Sequence, residues 1–446
     1  MTPLHHDHDH DHDLDLDLDK ETMMIDARRL AAARPPLGWN SWDCFGSSVT
    51  EEEVIANAEY LAEHLLPFGW DTVVVDIQWY ELDPGSHDYQ TVSTPLLDAW
   101  GRPIPAPERF PSSAGTGSFA PLAERIHGLG LRFGVHLMRG VPRAAADAAL
   151  PILGEPSATC DSIADRANTC VWNPDNYGVD MTAPGAQAYY DSVFAQLAEW
   201  GVDFVKLDDV LYPPVESAEI AAVSRAIDRT GRPMVLSLSP GKQLSLAHLD
   251  SLRATGQMWR ISDDFWDDWG QVLEQFQRAA RWAPHQVPGA WADADMLPFG
   301  RIGVRGHVGE DRLSRLSIEE QRTVTTLWSM MRSPLMFGGH LPDTPADTLS
   351  LLTNRDVLAL RDSTDGHEII RDGNLVVWSA RLGETAYRAV FWLGEEATTL
   401  RLHTDDLGCD AAATCRDVWD DSPVGIDAGW IELAVPAHGT RLLALS

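Results

Sequence analysis

Eight short apolar segments recur between residues 37 and 339, and most of the connections between them carry apolar residues at three-to-four spacing. The segments predict buried strands, and the spacing predicts amphipathic helices. Eight strands alternating with helices over roughly 300 residues favour an α/β fold of the (β/α)8 TIM barrel type over an open doubly wound sheet. No G-x-G-x-x-G fingerprint opens a helix, which weakens the dinucleotide-binding alternative. The segments are LGWNSW (37–42), TVVVDIQW (72–79), RFGVHLM (132–138), FVKLDD (204–209), MVLSLSP (234–240), MWRISDD (258–264), ADADML (292–297) and PLMFGG (334–339).

The pattern changes after about residue 365, where short alternating runs such as NLVVWSARL and YRAVFWLG are separated by Gly, Asp and Pro. This pattern predicts a small C-terminal antiparallel β-sandwich. At the other end, the His/Asp-rich stretch that begins MTPLHHDHDHDH is low in complexity and predicts a disordered tail. We therefore expect a disordered tail over residues 1–25, a catalytic barrel over 26–362 and a β-sandwich over 363–446.

The formal net charge of −33 argues against nucleic acid and anionic membrane surfaces as partners. No run approaches the roughly 20 apolar residues of a spanning helix. The N-terminus lacks the apolar region of a signal peptide, and the five cysteines form no C-x-x-C pair. These features predict reduced thiols and a cytoplasmic location. The acidic surface and the β domain are compatible with a homo-oligomer.

Polar side chains gather where the predicted strands end, which is the face on which a barrel builds its active site. The long connections 80–117 and 139–187 follow strand ends and are expected to complete that face. Helix caps would account for one or two aspartates but not for six strands that end alike. The polar residues are Trp42, Asp76, His136, Lys206, Asp208, Asp209, Ser239, Arg260, Asp263, Asp264 and Asp295.

Strand alternation separates the two neighbouring acids of FVKLDDV. Side chains of a strand alternate between its faces, so Lys206 and Asp208 share one face while Asp209 takes the other. A lysine beside Asp208 would hold its pKa down and keep it ionised, as a nucleophile requires. By the same alternation Arg260 and Asp264 share a face, and Asp263 is expected to point away. Asp208 and Asp264 are therefore the predicted inward pair.

Two carboxylates among tryptophans at the mouth of a barrel suit glycoside hydrolysis. Trp42 and Trp79 either pack in the core or stack on a sugar. One competing class is a metal-dependent barrel enzyme with ligands among His136, Asp76, Asp208 and Asp295, but Lys206 and Arg260 would then stand inside the ligand shell. The other is a non-catalytic sugar-binding protein, which would not need the acid pair. We expect no metal and no cofactor.

Five motifs resemble, in order and spacing, those of glycoside hydrolase family 27, the α-galactosidase and melibiase family. They are PPLGWNSWDCFG, VVVDIQWYE, FVKLDD, MWRISDD and PGAWADADMLPFG. The resemblance implies a retaining exo-glycosidase that needs no cofactor. It implies that Asp208 is the nucleophile and Asp264 the acid/base, and that Trp42, Asp76, Lys206 and Arg260 contact the sugar.

Three positions depart from the pattern of the family. Many of its galactosidases carry Asp-Asp where this chain has Asp76-Ile77. His136 stands where the family often has tyrosine, and Ser239 stands where it often has Cys-Glu or Cys-Gln. Isoleucine in place of an acceptor carboxylate disfavours the hydroxymethyl group of galactose. The resemblance to β-L-arabinopyranosidases of the family therefore implies β-L-arabinopyranose, which has the same ring configuration without that group. Terminal α-D-galactosides stay the alternative substrate, since Ile77 could instead face the helical layer.

The expected reaction is a double displacement on a terminal pyranoside. Asp208 would attack the anomeric carbon while Asp264 protonates the leaving oxygen, and the two carboxyl groups would lie roughly 5 to 5.5 Å apart. We expect Trp42, Asp76, Ile77, His136, Lys206, Ser239, Arg260 and Asp295 to bind the sugar.

Overall fold

The computed structural model describes residues 27–90, 93–409 and 414–446. Eight parallel strands form one sheet in the order β7-β6-β5-β4-β3-β2-β1-β8. A parallel bridge between Leu297, just beyond β7, and Phe337 in β8 joins the two edges and closes the barrel. All eight predicted strands are present. They are β1 (Leu37–Asn40), β2 (Thr72–Val75), β3 (Arg132–Met138), β4 (Phe204–Asp208), β5 (Val235–Leu238), β6 (Met258–Arg260), β7 (Trp291–Asp293) and β8 (Leu335–Phe337).

Helices follow the strands and pack around the barrel. The first long one begins at a capping box, in which the Thr50 side chain accepts from the Glu53 backbone N–H and the Glu53 carboxylate accepts from the Thr50 N–H. This reciprocal bonding satisfies N–H groups that a helix start leaves without partners. The α-helices span Trp42–Phe45, Glu51–His64, Ala120–Gly128, Arg143–Asp147, Cys160–Ile163, Ala186–Glu199, Ser217–Thr230, Leu249–Thr255, Trp269–Trp282, Ile318–Met331, Ala346–Leu352 and Arg355–Ala359.

The connections on the C-terminal side of the barrel strands are long and carry short strands of their own. The connection after β3 contains two small antiparallel sheets and is therefore not unstructured chain. These short strands span Val141–Pro142, Pro151–Ile152, Glu155–Thr159, Ala164–Thr169, Asn176–Val179, Arg301–Ile302 and Arg312–Leu313.

Two antiparallel sheets follow the barrel and enclose an apolar cluster that includes Val377, Val390, Leu402 and Ile431. This confirms the predicted fold class of a barrel followed by a β-sandwich. The strand Thr364–Asp372 was not expected, because its sequence is mostly polar, and it pairs with Leu375–Leu382 through register shifts. The strands are Thr364–Asp372, Leu375–Leu382, Thr385–Trp392, Thr398–His403, Cys415–Asp417, Ser422–Pro423, Ile426–Asp427, Trp430–Val435 and Thr440–Leu445.

The sandwich packs on the helix Ile318–Met331. The Trp419 indole N–H donates to the Thr326 hydroxyl over 2.9 Å, and the His438 ring stacks on Trp269 with ring centres 4.0 Å apart. Among residues 27–90, 93–409 and 414–446, no helix combines the length and the apolar character needed to cross a membrane. The tail predicted over residues 1–25 lies outside the described residues.

Candidate active site

A cavity of about 330 Å³ opens at the C-terminal ends of the barrel strands. Both predicted catalytic acids, Asp208 and Asp264, line it, as do Trp42, Asp76 and Lys206. The residues predicted from the sequence therefore lie close together in the fold although they are up to 222 positions apart. The Trp42 indole N–H, for example, donates to Asp264. The other lining residues come from loops: Tyr89, Trp172, Tyr212, Pro240, Asp263, Trp266, His307 and Val308.

Asp208, the last residue of β4, is held by three neighbouring side chains. The Ser239 hydroxyl donates to its Oδ1 over 2.7 Å, and His136 Nε2 lies 3.0 Å from its Oδ2. Lys206 Nζ lies 3.9 Å from the same Oδ2. Burial raises the pKa of Asp208, but the Lys206 charge and the His136 hydrogen bond outweigh burial and lower that pKa well below its usual range. The carboxylate is therefore ionised, and it lines the cavity.

Lys206 and Asp76 form a buried ion pair beside Asp208. The ammonium group of Lys206 lies 2.9 Å from Oδ2 of Asp76, which also accepts from the Asn40 amide over 2.8 Å. The other oxygen of Asp76 accepts from the backbone N–H of Ile77 over 2.8 Å. Burial raises the pKa of Asp76, but Lys206, the His136 charge and the hydrogen bond from the Ile77 N–H together outweigh burial, so this pKa is lowered. Asp76 is therefore an anionic acceptor with a fixed orientation.

Asp264 stands at the edge of the cavity, with its side chain 34% exposed. Its Oδ1 is 2.9 Å from the Arg260 guanidinium, and its Oδ2 accepts from the Trp42 indole N–H over 3.2 Å. Arg260 ends β6 and Trp42 begins the short helix after β1, so the carboxyl group is oriented from two sides. Access to solvent on one side and to the cavity on the other is what a group that exchanges protons with a leaving oxygen and with water needs.

Arg260 joins Asp264 to a deeper acid. Its second terminal nitrogen lies 3.1 Å from Oδ1 of Asp295, and Oδ2 of Asp295 accepts from the Phe265 N–H over 2.6 Å. Burial and the nearby Asp264 and Asp293 charges raise the pKa of Asp295 to about 7, while Arg260 opposes the rise. Asp295 does not line the cavity. It supports Arg260 from below, so the structure places it behind the site rather than against a sugar.

Three more predicted binding residues also stand behind the cavity wall. Ser239 and His136 contact Asp208 directly, and Arg260 contacts Asp264, but none of them lines the cavity. Each is buried. Their contacts indicate that they orient the two carboxyl groups.

An aromatic wall faces the acids. The Trp42 ring stacks on Tyr89 with centres 5.1 Å apart and on His307 with centres 5.7 Å apart. Tyr89 packs in turn against Trp172 at 5.5 Å. Stacked rings present flat apolar surface with polar edges, which matches the C–H faces and the hydroxyl rim of a pyranose. Trp79, by contrast, is buried among Phe119 and other core rings, so its role is packing.

Asp209 leaves the strand and turns away from the nucleophile, as alternation predicts. Its backbone has φ of +62°, in the left-handed region. Arg139 holds it there: its Nε–H donates to the Asp209 carbonyl over 2.7 Å, and its NH2 group lies 3.0 Å from the carboxylate. Arg139 also pairs with Glu219 of the following helix at 3.0 Å. Asp209 therefore ties the end of β4 to its surroundings.

The expectation that Asp263 points away is wrong. Asp263 lines the cavity next to Asp264, and its carboxylate accepts from the Tyr212 hydroxyl. The reason is that β6 ends at Arg260, three residues earlier, so strand alternation does not govern residues 261–264. Asp264 lines the cavity because contacts with Arg260 and Trp42 orient its side chain, and not because of strand alternation.

Ile77 is buried and belongs to an apolar cluster that includes Trp42, Tyr89 and Trp172. Its neighbours Val75 and Trp79 belong to the other large cluster, which fills the space between barrel and helices. Ile77 thus shares its apolar cluster with residues of the aromatic wall and not with residues of the helical layer. It follows the lining residue Asp76 in the chain and does not itself line the cavity.

The loops supplied the residues that sequence reasoning missed. Tyr89 and Trp172 lie in the two long connections that were expected to build this face, whereas His307 and Val308 lie in a loop that carried no signal. In the described part of the chain, no three His, Cys, Asp or Glu side chains are grouped so as to hold a metal ion. The side chains considered as metal ligands have other partners: His136 contacts Asp208, Lys206 pairs with Asp76, and Arg260 pairs with Asp295.

Two family models match this chain. The one described as alpha galactosidase A matches residues 172–363, and the one described as alpha galactosidase C-terminal beta sandwich domain matches residues 372–445. With the barrel and its carboxylates, these matches define a glycoside hydrolase. More particularly, the chain belongs to glycoside hydrolase family 27.

The relatives of this chain include proteins named as a β-L-arabinopyranosidase and as α-galactosidases. A solved family 27 β-L-arabinopyranosidase from Geobacillus stearothermophilus, in complex with arabinose, is 44% identical, with a TM-score of 0.91. The match covers 94% of this chain and 98% of that one. "Alpha-galactosidase 3" of Arabidopsis thaliana is 26% identical over 427 residues, which is 93% of this chain and 82% of that protein. The rice α-galactosidase is 24% identical over 421 residues, or 92% and 84% of the two chains.

Proposed function

We propose that this chain is a retaining exo-glycosidase that releases terminal β-L-arabinopyranosyl residues. The observation that carries the choice of sugar is the buried Ile77, which follows the lining residue Asp76 in the chain and shares an apolar cluster with residues of the aromatic wall. Branched hydrocarbon there offers no acceptor for a hydroxymethyl group. The 44% identity to a solved β-L-arabinopyranosidase of the family supports the same choice.

The proposed reaction has two steps. Asp208, kept ionised by Lys206 and His136, attacks the anomeric carbon, and a covalent glycosyl-enzyme forms as the C–O bond to the aglycone breaks. Asp264 gives its proton to the departing oxygen. Asp264 then takes a proton from water, whose oxygen attacks the anomeric carbon and frees Asp208.

Binding of the terminal sugar is assigned to the other lining residues. Asp76 is an anionic acceptor whose orientation is fixed by Asn40, Ile77 and Lys206. Lys206, 2.9 Å from Asp76, has donor capacity left for a ring hydroxyl, since an ammonium group carries three N–H bonds. Trp42 supplies the flat face.

Terminal α-D-galactosides are the second candidate, because the relatives from Arabidopsis thaliana and rice are named α-galactosidases. The two sugars share a ring configuration, so the set that holds the ring hydroxyls does not separate them. The two sugars are separated by the space and the hydrogen-bonding groups around the hydroxymethyl position.

The test compares kcat/KM on 4-nitrophenyl β-L-arabinopyranoside and 4-nitrophenyl α-D-galactopyranoside. We expect the native chain to favour the arabinopyranoside by roughly tenfold or more. Ile77→Asp should move the ratio towards the galactoside, whereas the matched Ile77→Val, which stays apolar, should leave the preferred sugar unchanged. A native preference for the galactoside of tenfold or more would overturn the choice of sugar.

A further inference from the structure

A second cavity, of about 410 Å³, lies beside the first and shares Trp172 and Tyr212 with it as a common wall. Its other lining residues come from the loops that follow β3, β4 and β5, among them Val171, Pro213 and Gln243. No part of the reaction proposed above uses this space. Because the two cavities share side chains, they are direct neighbours.

The position of the two catalytic acids fixes the direction in which a substrate leaves the first cavity. Asp208 ends β4 and Asp264 follows β6, and β5 lies between these strands in the sheet. Trp42 and Asp76 follow β1 and β2 on the opposite side of the barrel. A sugar whose hydroxyls meet Asp76 and whose anomeric carbon meets both acids therefore directs its aglycone over the end of β5. Gln243 lies in the loop that begins there.

The lining of the second cavity suits a sugar unit. It combines the rings of Trp172 and Tyr212 and the two prolines Pro213 and Pro214 with polar side chains that include Gln243. Val171 is 94% exposed at its edge, which is unusual for an apolar side chain of a folded domain. A pyranose has an apolar C–H face and a rim of hydroxyls, so it can use both kinds of surface at once.

A third cavity, of about 300 Å³, adjoins the site on the other side of Asp263 and Asp264. Its lining is mainly charged and polar, and the ion pair between Glu274 and Arg278 already satisfies two of its groups. It has no pair of aromatic rings shared with the first cavity. The loop after β5 divides the two spaces, because Lys242 lines the third cavity and the next residue, Gln243, lines the second.

We propose that the second cavity binds the sugar unit to which the terminal pyranoside is bonded, so that the enzyme recognises the end of an oligosaccharide and not only its last residue. This inference rests on the proposed function, whose cleavage step defines the leaving side. Trp172 and Tyr212 contact both sugar units, and Val171 and Gln243 contact the second one alone.

The experiment compares substrates with and without a second sugar. β-L-Arabinopyranosyl fluoride has no sugar aglycone, and each positional isomer of β-L-arabinopyranosyl galactose has one. The isomer that the native chain hydrolyses fastest is used. The double variant Val171→Ser with Gln243→Ala should lose about tenfold in kcat/KM on the disaccharide, the equivalent of one to two hydrogen bonds, and stay within about twofold on the fluoride. Both side chains are exposed, so folding should be unaffected.

Lys242→Ala is the matched control, since it removes an exposed neighbour that faces the third cavity. We expect it to leave the ratio between disaccharide and fluoride unchanged. Equal loss on both substrates in the double variant, no loss on either, or a loss in Lys242→Ala as large as in the double variant would overturn the inference. If only α-D-galactosyl fluoride is hydrolysed, the choice of terminal sugar fails and the same comparison is made with galactosyl disaccharides. Hydrolysis of neither fluoride would overturn the proposed function and this inference with it.

Discussion

The Nε2 atom of His136 lies 3.0 Å from Oδ2 of Asp208, and the two residues stand on neighbouring strands of the barrel. The His136 ring is completely buried, and no described group accepts from or donates to its Nδ1. A histidine ring whose one hydrogen bond to the described residues goes to Asp208 is placed to orient that carboxylate and to hold its charge.

Removing this contact should raise the pKa of Asp208 and misorient it. We expect His136→Phe, which keeps a ring of similar size, to lower kcat/KM by about 10- to 100-fold and to move the acidic limb of its pH profile to higher pH. Ser239→Ala removes the other side-chain donor, at 2.7 Å, and should move the same limb by a smaller amount because it carries no charge. An unchanged acidic limb in His136→Phe would show that the contact does not tune Asp208.

The neighbouring acids Asp208 and Asp209 should respond differently to the same substitution. Asp208→Asn removes the attacking oxygen and should abolish turnover while folding and sugar binding persist. Asp209→Asn acts on the ion pair with Arg139, at 3.0 Å, and should change stability with little effect on kcat. Steady-state kinetics beside thermal unfolding of both variants makes the comparison. A selective loss of kcat in Asp209→Asn would contradict the assignment of Asp208.

Asp209 should also make stability depend on pH. Burial raises the pKa of Asp209 to about 6, despite the nearby Arg139 charge, whereas an aspartate in an unfolded chain titrates near pH 3.9. The folded chain therefore holds this proton more tightly than the unfolded chain does. Its stabilising contribution is complete below about pH 4 and is lost as the pH rises through about 6.

Asparagine at position 209 has no proton to lose. The free energy of unfolding of Asp209→Asn, relative to the native chain, should therefore rise by about 3 kcal/mol between pH 4 and pH 7, since two pKa units correspond to that energy. Urea unfolding of both proteins at several pH values measures the difference. A difference that stays constant with pH, or that falls as the pH rises, would contradict the raised pKa.

The two lysines at 206 and 242 offer a matched pair in and beside the site. Lys206→Met should destabilise the fold by about 3 to 5 kcal/mol, because it leaves the buried Asp76 carboxylate without its partner at 2.9 Å. Lys242→Met, at an exposed position 3.9 Å from Asp263, should stay within about 0.5 kcal/mol of the native chain. Denaturant unfolding at neutral pH compares them, and equal effects would mean that the Lys206 pair contributes no more than a surface contact.

The barrel could be predicted from the sequence because its strands are buried on both faces and so appear as apolar runs, as TVVV in β2 does. The strand Thr364–Asp372 was missed because it is largely polar and lies at a sheet edge, where pairing needs little apolar surface. Its structure follows from pairing with Leu375–Leu382, which no local pattern encodes.

In the candidate site too, residues within strands could be predicted from the sequence, whereas most residues in loops could not. Lys206 and Asp208 lie within a strand, where alternation applies, and both line the cavity as that rule requires. Asp263 lies beyond the end of its strand, where the backbone follows the loop and the rule has no force. Tyr89 and His307 meet Trp42 only because two distant loops fold over the barrel, so their part in the aromatic wall follows from tertiary packing.

The most direct measurement is to trap the glycosyl-enzyme. A fluorinated β-L-arabinopyranosyl fluoride that slows hydrolysis of the covalent intermediate more than its formation is incubated with the native chain, and the modified peptide is sequenced by mass spectrometry. We predict one arabinopyranosyl group, bonded to Asp208 and absent from the Asp208→Asn variant. An adduct on Asp264 or Asp209, or turnover of the arabinopyranoside with inversion and no adduct, would contradict the account.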